Sequence, residues 1–71
     1  MFKKICIVNG NEFQINQTEF HLEDLVDKFM EDKNIKVAVA VNNKLVVKSE
    51  WKKKKIFNGD IIEIVQPFFG G

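Results

Sequence analysis

Few residues in this 71-residue chain can do chemistry: one cysteine (Cys6), one histidine (His21), four lysines behind a tryptophan (Trp51, Lys52 to Lys55) and a closing Gly70-Gly71 pair. Without a Cβ, glycines thread narrow channels and adopt backbone angles closed to other residues. A carboxylate on Gly71 would therefore be well suited to entering another protein's active site, with Gly70 giving clearance. The competing reading is a frayed end, as termini often are. Cys6 lies in an apolar run, where a free thiol is ordinarily a buried, inert hydrophobe; a reactive thiolate needs a positive charge or a helix start beside it. One histidine and one distant cysteine give no zinc spacing. The glycine turns lack the spacing and following helix of a phosphate loop. These residues form no catalytic set, so the expectation is a protein that is not an enzyme and binds no metal or cofactor itself.

The lysine run has two readings. Lysines meeting phosphates beside an indole that stacks on a base would make a small nucleic-acid-binding module of Trp51 and Lys52 to Lys55. The other reading is a solvated loop whose tryptophan closes the open end of the core while the lysines keep that edge soluble. A formal net charge of only +1 favours the second. Such a patch would also suit an acidic partner protein.

A chain of this size makes one domain, residues 1–71, with little room for both a core and a buried cleft. With 45% hydrophobic and 30% charged residues it has a globular composition. The lone cysteine suits a reducing compartment. Phe2 to Val8 is too short, and too interrupted by Lys3 and Lys4, for a signal-peptide core, and no apolar run approaches membrane-spanning length. A cytoplasmic location is expected.

The positioning elements follow from periodicity. Phe2 to Val8 reads as a strand with apolar residues on both sides, and so inside a sheet; Asn9-Gly10-Asn11 turns it into a second strand around Phe13-Gln14-Ile15. Leu22, Leu25, Val26, Phe29 and Met30 form one helical stripe, starting between residues 19 and 22, capped by Thr18 or His21, and ending near Lys33-Asn34. Val37 to Val41 reads as a strand with valines on one face and alanines on the other. Asn42-Asn43 is a turn, Leu45 to Val47 a short return strand, and Ser49-Glu50-Trp51 with the lysines an irregular connection or helical turn. After Asn58-Gly59-Asp60, Ile61 to Gln66 forms the final strand, with Ile62 and Ile64 on one face and Glu63 on the other; Pro67 ends the pairing. This order predicts an α+β roll, a mixed sheet of four to five strands with one main helix on one face, and residues 67–71 as a flexible C-terminal tail.

Several segments together carry a resemblance: Val8-Asn9-Gly10, Val39-Ala40-Val41-Asn42, Val46-Val47-Lys48-Ser49-Glu50-Trp51, Asn58-Gly59-Asp60 with Ile61 to Val65, and the terminal Gly70-Gly71. Across essentially its whole length the chain resembles the ThiS family, sulfur carrier proteins of thiamine biosynthesis within the ubiquitin-like β-grasp group. It departs from the family pattern at Pro67-Phe68-Phe69, where smaller residues are usual, and at His21, where a threonine is common.

The resemblance implies a carrier whose reacting group is the Gly71 carboxylate. An ATP-using, ThiF-like enzyme would adenylate it, and sulfur from a persulfide donor would displace AMP. The resulting thiocarboxylate would serve a ThiG-like thiazole synthase. One helix covers one sheet face, leaving Val65 and Phe68 of the other for docking. Phe68 and Phe69 either anchor a partner or fold back onto the core. Rival readings are a molybdopterin-type sulfur carrier, the nucleic-acid module above, and a plain ubiquitin-like interaction domain.

Overall fold

The computed structural model describes residues 4–30 and 36–66. In chain order these form β1 (Lys4–Val8), β2 (Asn11–Ile15), α1 (Leu22–Phe29), β3 (Ala38–Val41), β4 (Lys44–Val46), a single 3₁₀ turn (Lys48–Glu50) and β5 (Ile61–Val65). The strands make one mixed sheet in the order β2-β1-β5-β3-β4. β1 pairs antiparallel with β2 and parallel with β5, and β3 pairs antiparallel with both β4 and β5. The doubly apolar first strand and the isoleucine-rich last one thus occupy interior positions.

Both hairpins turn on residues in the left-handed region: Asn9 (φ 50°) with Gly10 (φ 84°), and Asn42 (φ 51°) with Asn43 (φ 70°). Two-residue turns whose twist matches the strands need positive φ at both central positions, and asparagine is among the few residues with a side chain that tolerate it. The second turn also sets a register. It places Lys44 opposite Val41, so β4 begins at Lys44, one residue before the return strand read from the sequence. Val47 falls outside it because its carbonyl accepts from Glu50 to close the 3₁₀ turn (2.9 Å).

α1 buries Leu22, Leu25 and Val26 against the sheet. Phe29, next on the expected stripe, is 40% exposed, and Met30 leaves the helix with an extended backbone (φ −102°, ψ 120°). The helix therefore stops short of Lys33-Asn34. The Met30 N–H closes the last turn on the Val26 carbonyl (2.8 Å), and the Met30 side chain packs half-buried on the core.

The core lies between α1 and the sheet. Cys6 and Val8 of β1, Val39 and Val41 of β3, and Ile62 and Ile64 of β5 face the helix, with Phe20, Trp51 and Ile56 closing the sides. Burying each large aliphatic side chain contributes about 1.5–3 kcal/mol, and this single layer is the main source of stability.

Candidate functional site: the open sheet face and the strand leading to the glycines

Residues paired directly across a ladder share a face of the sheet. The inner set is Val39, Val41, Ile62 and Ile64. The outer set is therefore Ile61, Glu63 and Val65 on β5, Ala38 and Ala40 on β3, Leu45 on β4, and Ile5 and Ile7 on β1. Leu45, Val65 and Ile61 are 71%, 55% and 53% exposed. Ile5 and Ile7 are half-buried; opposite them on β2 the same face carries the exposed Glu12 and Gln14, and Glu63 sits among the apolar residues of β5. Contiguous exposed apolar area of this kind is a common feature of surfaces that meet a partner.

β5 is fixed at both ends by asparagine side chains that the hairpins hold in place. At its start, the Ile61 N–H donates to Asn42 Oδ1 (2.9 Å), and Asn42 Nδ2 donates to Asp60 Oδ1 (3.0 Å). At its end, the Ile64 N–H donates to Asn9 Oδ1 (2.8 Å), and Asn9 Nδ2 donates to the Ile64 carbonyl (3.0 Å). The sequence showed these asparagines only as turn formers. Their cross-strand bonds were missed, and their only local signal was an amide at a position needing positive φ.

Of the predicted site residues, Val65 lies at the end of β5 on the open face. Phe68, Phe69, Gly70 and Gly71, with the whole predicted 67–71 tail, lie outside the described residues. Ile61 and Leu45 join Val65 on the surface and were not singled out from the sequence. Alternation was the available signal, since Ile61 is out of step with inward Ile62 and Ile64.

Cys6 is fully buried in β1, its Sγ 3.7 Å from the Phe13 carbonyl. Burial pushes the thiol up from its ordinary pKa and the nearby Asp60 charge acts the same way, against a smaller lowering by a backbone hydrogen bond. Both main effects disfavour the thiolate, as expected of an inert structural cysteine. His21, not Thr18, is the residue preceding α1; its N–H donates to Asp24 Oδ2 (3.2 Å), which places it at the helix start away from the open face. Among the described residues no group of three His, Cys, Asp or Glu side chains could hold a metal, and no helix is long and apolar enough to cross a membrane.

Trp51 is buried, and its Nε1–H donates to the Val46 carbonyl (2.9 Å), so the indole closes the core and has no open face for a base. The backbone of the lysine segment covers the start of α1. The Leu22 and Glu23 N–H groups, which lack intrahelical partners, donate to the carbonyls of Lys54 (2.8 Å) and Trp51 (3.1 Å). Lys52 to Lys55 extend into solvent, and none pairs with a carboxylate among the described residues. The solvated-loop reading accounts for the segment.

A mixed five-stranded sheet carrying one helix on one face, with the last strand between the first and the third, is a β-grasp domain. The family model described as the ThiS family matches residues 5–71, and the chain belongs to that family. Two solved structures have the same fold. A crystal structure of thiamine biosynthesis protein ThiS from Geobacter metallireducens has 18% identity and a TM-score of 0.80, covering 94% of this chain and 99% of that one. An NMR solution structure of a thiamine biosynthesis protein from the same organism has 18% identity and a TM-score of 0.72, covering 94% of this chain and 87% of that one. No curated protein matches the chain.

Proposed function

We propose that this protein is a sulfur carrier of thiamine biosynthesis whose reacting group is the carboxylate of Gly71. The observation that carries the reading is the family match, which runs through Gly70-Gly71. A carboxylate is a poor electrophile. Attack of its oxygen on the α-phosphorus of ATP, in a ThiF-like enzyme, expels pyrophosphate and leaves an acyl-adenylate with AMP as a good leaving group. A persulfide sulfur then displaces AMP, and a thiol cleaves the S–S bond to release the thiocarboxylate. That sulfur is anionic at neutral pH and more nucleophilic than the oxygen it replaces, as delivery to a ThiG-like thiazole synthase requires. The domain supplies recognition and placement, which make the attack effectively intramolecular once it has docked.

The open face supports the same reading. Val65, Ile61 and Leu45 form an apolar surface on and beside the strand that leads into the tail, a natural seat for the adenylating enzyme. The test is intact mass after incubation with the cognate ThiF-like enzyme, ATP and a sulfur source. The expected gain equals exchange of one oxygen for sulfur, and deletion of Gly71 abolishes it. No gain with a competent cognate enzyme overturns the reading. A molybdopterin-type carrier would show the same gain but would supply molybdopterin synthase rather than thiazole synthase.

A further inference from the structure

We infer that Asn9 is a positioning residue for the reactive tail, acting through the end of β5; this rests on the carrier reading above. The parallel β1–β5 ladder runs from Ile7 N–H to the Asp60 carbonyl (2.9 Å) and on to Asn9 N–H with the Ile62 carbonyl (2.9 Å). There the β1 backbone turns away, because Asn9 has entered the left-handed region at φ 50°. The next bonds of the ladder would need a peptide group that is no longer alongside. The Asn9 side-chain amide takes its place: its oxygen accepts from the Ile64 N–H and its nitrogen donates to the Ile64 carbonyl, at 2.8 and 3.0 Å. A carboxamide has the donor and acceptor of a peptide bond in the same plane, so it serves both groups of Ile64 at once.

Ile64 is the third residue before Pro67 and the seventh before Gly71. Fixing both of its backbone groups completes the β1 side of β5, next to Val65, whose pairing with Ala38 of β3 holds the other side. Without this clamp the end of β5 is held from the β3 side alone, and the added freedom on the β1 side must be lost again when a partner seats the tail. Asn42 provides an internal control. Its amide holds Ile61, at the opposite end of the same strand, from the same kind of turn.

The experiment compares wild type, Asn9→Gly and Asn42→Gly, both of which keep positive φ accessible and remove one amide clamp. Steady-state adenylation by the cognate enzyme is followed by pyrophosphate exchange, with amide hydrogen exchange measured at Ile64. Losing the Asn9 clamp should raise KM for the carrier about tenfold with kcat within about twofold, a larger rise in KM than Asn42→Gly gives. Ile64 exchange should accelerate only in Asn9→Gly. Asn9→Asp, isosteric and tolerant of positive φ, faces the Ile64 carbonyl with an oxygen and should raise KM as well, covering the case in which Asn9→Gly does not fold. Equal KM changes in the Asn9 and Asn42 variants, or unchanged KM and Ile64 exchange in the Asn9 variants, overturn the inference while leaving the carrier reading intact. Wild type inert towards a competent cognate enzyme overturns both.

Discussion

Trp51 is held in the core by a hydrogen bond as well as by its area. Trp51→Phe keeps most of the apolar surface but leaves the Val46 carbonyl without the Nε1–H partner now 2.9 Å away. A loss of about 1–2 kcal/mol in urea denaturation is expected, against about 3–5 kcal/mol for Trp51→Ala, which also opens a cavity. Cys6 makes stability depend on pH at the alkaline end. Its folded-state pKa is raised, chiefly by burial, so the folded protein keeps the proton at pH values where the unfolded thiol ionises. The contribution is fully present below the unfolded thiol pKa, about 8.5, and is lost as pH rises from there through the folded pKa. Relative to Cys6→Ala, the wild-type urea midpoint should fall between about pH 7.5 and about pH 9.5, and a constant difference would contradict this.

The elements were legible where one period decides them and illegible where a distant partner does. Leu22, Leu25 and Val26 mark the helix, and Ile62 and Ile64 mark the inward face of the last strand, because burial repeats with the backbone. Leu25→Ala should cost about 2–5 kcal/mol by denaturant titration, since Leu25 is fully buried. The end of α1 and the bounds of β4 differ from the sequence reading because Met30 and Val47 are placed by packing and by a 3₁₀ turn. The asparagine clamps span 55 residues in one case and 19 in the other, separations at which periodicity carries no signal. Turn residues behave differently, being readable one at a time. Gly59 has φ +90° with nothing within 4 Å of where a Cβ would sit, so Gly59→Ala should cost about 1–2 kcal/mol from backbone strain alone, measured in urea.

At the scale of the molecule the two sides of the sheet differ among the described residues: one makes the core with the helix, and the other exposes Leu45, Ile61 and Val65. The double variant Leu45→Gln, Val65→Gln removes exposed apolar area without touching the core. It should leave stability within about 0.5 kcal/mol of wild type and lower kcat/KM for adenylation about tenfold. The open face was only partly readable. Val65 was foreseen there, whereas Leu45 and Ile61 needed the pairing register to be assigned a side. The sheet order has a mechanical consequence too. β1 and β5 are neighbours and run parallel, so the start of one and the end of the other lie at opposite ends of the sheet. A pull on the chain beyond Val65 against the region before Lys4 loads their bonds in shear, all at once, instead of peeling them one by one. Force applied along the strand between these two ends is therefore borne by the β1–β5 ladder as a unit.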